Sequence, residues 1–324
     1  MHRDQETCYE PVDINLWQGR IDGDETDYQR WHQVIGVHDI RKNPDMQGAA
    51  VFLGFCCDEG VRRNQGRTGA KAGPDHLRRV LAGLPVHFSP TLRLMDIGNI
   101  SCHEEEMEAA QGMLSQCVEY LIKVHAFPIV LGGGHEITYG HFKGIRNAKA
   151  GKIGIINIDA HLDIRQTEHQ QGNSGTSFYQ IAEEAALNNE EFHYLAIGIQ
   201  DISNTKALFN YAAAKSVAMI KREDIYADKL PALINQILAF AQSVDHIYLT
   251  IDLDAFSAAH APGVSAISFN GIIPDHSFHR LFSTLLQLPN LISVDIAEYN
   301  PRFDIDYRTA KLAADLIFQI VQKR

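Results

Sequence analysis

The sequence predicts an α/β fold, a three-layer α/β/α sandwich around a mainly parallel central sheet, and two observations carry that expectation. From Ala50 onward, short β-type runs that are apolar on both faces alternate with longer helix-type stretches, the pattern of strands covered by helices on both sides. The chain also has the material for a substantial core: 324 residues, 45% hydrophobic and 21% charged.

The elements follow in order. The first 45 or so residues are polar and irregular, an N-terminal arm that Trp17 and Trp31 are expected to dock on the body. Strands are expected over 51–55, 128–131, 153–158, 194–197, 216–220, 247–251 and 291–296, and helices over 104–125, 139–146, 230–242 and 307–322. No repeat, low-complexity tract or Pro/Ser linker interrupts them, so residues 1–324 read as a single domain.

Charge and cysteine content narrow the function classes. A net charge of -11 argues against a nucleic-acid surface, which needs clustered Lys and Arg. The one basic cluster, Arg62, Arg63 and Arg67, is interrupted by glycine and reads as an anion-binding loop. Five cysteines without a CxxC pair point away from a disulfide framework and toward a reducing cytoplasm. Met1 to Asp13 lacks the pattern of a signal peptide, and no run approaches the roughly 18 apolar residues that a membrane span needs.

In open parallel sheets ligands sit beyond the carboxyl ends of the strands, and three such ends carry chemistry. Leu131-Gly132-Gly133-Gly134-His135-Glu136 gives the backbone freedom to turn tightly and present His135; alone, a triple glycine is more often just a turn. Ile158-Asp159-Ala160-His161-Leu162-Asp163 closes the strongest strand candidate, and its spacing of two turns both carboxylates and the imidazole to one side. Without a cation, burial and mutual repulsion would strain that trio. Ile251-Asp252-Leu253-Asp254 repeats the spacing at a third strand end, where an Asx turn is the plain alternative. Together they supply four Asp and two His, enough to hold two divalent ions in electrical balance. The oxygen-rich set favours Mn²⁺ over Zn²⁺, and two such ions about 3.5–4 Å apart would acidify a bridging water.

In this order and spacing the three motifs resemble the ureohydrolase superfamily of arginase, agmatinase and formimidoylglutamase, from Val51 to the C-terminus. The resemblance implies an arginase-like fold, two Mn²⁺ per subunit, and His135, Asp159, His161, Asp163, Asp252 and Asp254 as metal ligands. It makes Asp163 the group that orients the hydroxide and Glu298, in Glu298-Tyr299-Asn300-Pro301, the acid that faces the amidine-type carbon. Relatives often form trimers or hexamers, which implies a homo-oligomer. The chain departs from the pattern twice. Ser257-Ala258 stands where the family usually has Asp-Pro, and Thr176 stands near the position of a His that relays protons in arginases and agmatinases. His169 lies nearby, in what reads as an exposed loop.

Arg165, two residues past Asp163, suits a substrate carboxylate and would repel the cationic end of agmatine. The segment Glu59 to Ala70 resembles the matching loop of formimidoylglutamases, and Arg62, Arg63, Arg67, Arg78 and Arg79 bring further positive charge. The resemblance therefore implies a small-molecule hydrolase that cleaves N-formimidoyl-L-glutamate to L-glutamate and formamide in histidine breakdown. Arg165, Asn173, Ser174 and Arg67 would hold the glutamate end. The alternatives are a guanidinobutyrase, agmatinase or arginase releasing urea, a one-metal zinc deacylase, and an inactive homologue that binds an amino acid.

Overall fold

The computed structural model describes residues 8–23 and 25–324; the first seven residues of the Met1 to Asp13 stretch lie outside them. Ten strands follow one another among the described residues: β1 Tyr9–Glu10, β2 Gly36–Val37, β3 Ala50–Cys56, β4 Leu94–Ser101, β5 Phe127–Leu131, β6 Ile153–Ile158, β7 His193–Ile199, β8 Ala218–Lys221, β9 His246–Asp252 and β10 Leu291–Ala297. They form one sheet in the order β1-β4-β3-β5-β10-β9-β6-β7-β8, with β2 also paired to β4. Every pairing is parallel except β1 with β4.

Two apolar clusters, one on each face, make the layers. Helices Gly73–Leu81, Leu230–Gln242, His276–Leu286 and Arg308–Gln322 pack into one cluster. Helices Met107–Lys123, Ile137–Ala148, Ser177–Leu187 and Lys206–Ala214 cover the other. Both faces of the central strands are thus dry, which is why they carry near-continuous Ile, Val and Leu. All seven expected strands are present, within two residues at each end.

The N-terminal arm does more than dock. Trp17 and Trp31 do stack on Phe52, with ring centroids 6.0 and 6.1 Å away, but the arm also supplies β1 and β2 to the sheet edge. The strand they join, β4, was not expected, because Asp96, Gly98 and Asn99 break its apolar run. Those polar groups are buried yet satisfied. Arg78, itself without exposed surface, donates to both Asp96 oxygens at 2.6 and 2.9 Å and to Asn99 at 2.6 Å, while Trp17 donates to Asp96 at 2.8 Å. A buried charge is tolerated only when paired in this way. Arg78 is therefore a structural cation and no substrate contact; Arg79 points to solvent.

Four neighbouring strands, β5, β10, β9 and β6, lie at the middle of the sheet. The chain steps from β5 to β6 across the places later filled by β10 and β9. That reversal opens a crevice at the carboxyl ends of these strands.

Candidate metal centre

Each of the four strands delivers one part of the site. After β5, Gly132 to Gly134 fold under their neighbours so closely that a Cβ on Gly133 would lie 1.7 Å from the Cys57 carbonyl. Only glycine fits there, and the turn brings His135 beneath the crevice. After β6 and β9, Asp159 Oδ1 accepts the N–H of His161 and Asp252 Oδ1 accepts the N–H of Asp254, each at 2.7 Å. The Asx turn foreseen as the plain alternative at Asp252 is real, Asp159 makes a second one, and both serve the site. Each turn fixes one carboxylate oxygen on the backbone and so sets the direction of the whole carboxylate.

The carboxylates converge on the imidazoles. His135 Nδ1 lies 3.2, 3.0 and 3.2 Å from one oxygen each of Asp159, Asp163 and Asp252, and His161 Nδ1 lies 3.5 and 3.1 Å from Asp159 and Asp254. They make two groups fit to hold a cation, His135-Asp159-Asp163-Asp252 and Asp159-His161-Asp254, with Asp159 common to both. Asp163 and Glu298 have left-handed backbones, φ 48° and 66°. For non-glycine residues this is strained, and such strain gathers at functional sites.

Glu298 follows β10. Its Oε1 accepts the His135 N–H at 3.0 Å, and its own N–H donates to Gly133 at 2.8 Å. Glu298 Oε2 and Asp254 Oδ1 are buried and have no hydrogen-bond partner among the described residues. An orphaned Asp254 oxygen beside a crowded imidazole is what a cation site requires of a donor, and the orphaned Glu298 oxygen stands outside both donor groups.

The electrostatics agree. Burial, reinforced by Asp254 and Asp159, raises the Asp252 carboxyl well above its usual range, and burial with Asp252 and Glu136 does the same to Glu298. Burial pushes Asp254 up to about 7. Asp163 rises through burial and the neighbouring Asp159. Burial also acts against the charge on Asp159, but hydrogen bonds from His135 and His161 outweigh it and hold that carboxyl low. For both imidazoles burial opposes protonation, and the surrounding carboxylates overcome it. Four carboxylates balanced by two imidazoles alone are short of positive charge.

A cavity of about 340 Å³ opens onto the cluster. His135, His161, Asp163, Asp252, Asp254 and Glu298 line it, with Arg165, Ser174, Arg67, Asn64 and Asn204 among the other residues of its wall. Arg165 is exposed and its side chain has no hydrogen-bond or ion-pair partner among the described residues. Arg67 is more committed: it donates to Ser265 and Val264 carbonyls at 2.9 and 2.5 Å and stacks over Phe303 at 4.2 Å.

Other expected contacts are not brought in. Asn173 is absent from the cavity wall, and its side-chain oxygen caps Gly175 N–H at 2.9 Å. Arg62 and Arg63 both pair with Glu59, and further with Glu105 and Glu108, because the spacing of three and four on a short helix makes them its partners. Thr176 is buried, bonded to Asn173 and Gln180, and His169 is exposed on its loop outside the cavity wall. Ser257 accepts no metal-facing role; its hydroxyl donates to Phe269 O at 2.9 Å.

Sequence reasoning missed Asn64 and Asn204. Asn64 lies in the basic loop, hidden by its charged neighbours, and donates to Ser174 Oγ at 3.1 Å. Asn204 braces the Asp159–Asp163 turn by bonds at 2.9 Å to Leu162 N and Ala160 O. No spacing in the sequence signals it.

Residues 48–322 match the model of the arginase family. A formimidoylglutamase of Ralstonia nicotianae is 42% identical, with 96% of this chain and 95% of that protein covered. One from Clostridium tetani is 39% identical over 97% of this chain and 95% of its own length. Among solved structures, a formiminoglutamase of Trypanosoma cruzi with Mn²⁺ superposes with a TM-score of 0.76 at 26% identity, over 86% of this chain and 93% of that one. The formimidoylglutamase of Bacillus subtilis gives 0.81 at 24% identity, over 93% and 94%, a likeness of fold.

Proposed function

The chain belongs to the arginase family, and on that premise we propose that it hydrolyses N-formimidoyl-L-glutamate to L-glutamate and formamide with two manganese ions per subunit. The two overlapping donor groups, rich in hard oxygen donors, support manganese and the count of two. Held there, the ions supply a water acidified enough to serve as nucleophile near neutral pH.

The protein's own groups do the rest. Asp163, facing the cavity from its strained turn, accepts a hydrogen bond from the attacking water and so aims it at the formimidoyl carbon. Glu298 keeps Oε1 on the His135 N–H and offers its unpartnered Oε2 to the N–H groups of the formimidoyl end. Arg165 pairs with a glutamate carboxylate, with Ser174 and Arg67 beside it. Water adds to the planar carbon, the bond from that carbon to the glutamate nitrogen breaks, and the amine leaves with a proton. A cytoplasmic setting belongs to this reading, and five cysteines without a CxxC pair fit it.

One observation carries the choice of substrate: a guanidinium without a partner among the described residues, in the same cavity as a buried carboxylate. A molecule with an amidine at one end and carboxylates at the other satisfies both. The manganese-loaded protein is expected to release formamide and glutamate in equal amounts. Urea release from arginine or agmatine, with formimidoylglutamate untouched, would overturn the assignment.

Arg165→Leu should raise the KM for formimidoylglutamate about tenfold to a hundredfold with a smaller change in kcat, because hydrogen bonds to charged groups contribute about 1.5–3 kcal/mol. An unchanged KM in steady-state kinetics would assign the carboxylate to another group.

A further inference from the structure

Below the candidate metal centre, strands β9 and β10 carry polar side chains at alternate positions on the face covered by helix Ile137–Ala148. Tyr248 and Thr250 on β9 stand in register with Ser293 and Asp295 on β10. Thr138 and His141, one turn apart, come down on them from the helix. All six are fully buried. Polar groups placed this deep destabilise unless each is satisfied, so their connectivity is informative.

The groups form one buried polar chain that starts at a candidate metal ligand. His135 Nε2 lies 2.9 Å from Thr250 Oγ1, which lies 3.5 Å from Thr138 Oγ1. The Thr138 hydroxyl faces that of Tyr248, and Tyr248 donates to Asp295 Oδ2. His141 Nδ1 reaches the same Asp295 oxygen at 2.6 Å, and its Nε2 meets Ser293 Oγ at 2.6 Å. Ser293, His141 and Asp295 have the connectivity of a nucleophilic triad, but no substrate reaches a serine with no exposed surface.

The direction of the chain matters more than its length. His135 turns Nδ1 toward three carboxylates. An imidazole that offers Nδ1 to a cation carries its proton on Nε2, and that proton needs an acceptor. Thr250 Oγ1 accepts that hydrogen bond with a lone pair, which leaves its own hydroxyl hydrogen to point onward at Thr138, whose hydroxyl faces Tyr248. Asp295 Oδ2, which accepts from Tyr248, closes the sequence and sets its sense.

We propose that Tyr248 and Asp295 are positioning residues which, through Thr138 and Thr250, hold His135 in the tautomer that presents Nδ1 to a metal ion. The inference rests on the metal reading above, yet it concerns residues that touch neither metal nor substrate.

Calorimetric titration of chelator-stripped protein with Mn²⁺ tests it without recourse to activity. Thr250→Val should weaken Mn²⁺ binding about tenfold to a hundredfold, the usual cost of losing a partner of a ligating histidine. Thr250→Ser should stay within about threefold of wild type, since the hydroxyl survives. Tyr248→Phe should weaken binding when made alone and add nothing in the Thr250→Val background, because its effect passes through Thr250. Wild-type affinity in Thr250→Val or in Tyr248→Phe would overturn the proposal. So would a Tyr248→Phe effect of equal size in both backgrounds, which would mark a packing role. A wild-type protein that takes up no Mn²⁺ would instead overturn the metal reading beneath it.

Discussion

Asp159→Ala is expected to lower kcat/KM at least about a thousandfold, several kcal/mol of lost transition-state stabilisation, because both candidate cation groups depend on this one side chain. Its Oδ1 is fixed by the His161 N–H at 2.7 Å and its Oδ2 by Asn157 at 3.0 Å, so the carboxylate is held before any ion arrives. Removing it leaves His135 and His161 without their shared neighbour, and metal content should fall together with rate. Elemental analysis beside the kinetics separates this from misfolding: a folded variant that keeps two ions and near-normal turnover would contradict the role given to Asp159.

Glu298→Gln isolates a different contribution. The amide keeps an oxygen for the His135 N–H and nearly the same shape, so the loop should stay in place. What it loses is the negative charge on Oε2, the buried atom offered to the formimidoyl nitrogens. A preorganised group at a dry reacting centre is worth about a hundredfold to a thousandfold in rate, and a loss of that size in kcat/KM is expected with Mn²⁺ affinity unchanged. If the variant stays within tenfold of wild type, Glu298 does not hold the reacting end.

The fold was legible where burial was uniform. Strands such as Ile153–Ile158 are covered on both faces, and their unbroken apolar runs say so. Strand β4 was illegible because its neutralising partner, Arg78, comes from a separate helix, and no local pattern announces a buried ion pair. Helices Ser177–Leu187 and Lys206–Ala214 were passed over for a related reason. Their short apolar stripes, among Ala and polar residues, acquire meaning only against the sheet they cover.

The candidate site was legible at strand ends, where the spacing of His135, Asp159, His161, Asp163, Asp252 and Asp254 carries its own geometry. The cavity wall was not. Basic residues drew attention to Arg62 and Arg63, although Glu59, three and four residues before them, already signalled their neutralisation. Nor does any sequence pattern reveal the left-handed backbones of Asp163 and Glu298, which only the surrounding packing can impose.

The central claim is that two ions held by six side chains make the nucleophile. Stepwise addition of Mn²⁺ to stripped protein, with bound metal and formamide release followed in the same samples, tests it most directly. The account predicts two ions per chain at saturation and turnover that rises with their occupancy from a negligible start. Full turnover in protein shown to be free of metal would contradict it.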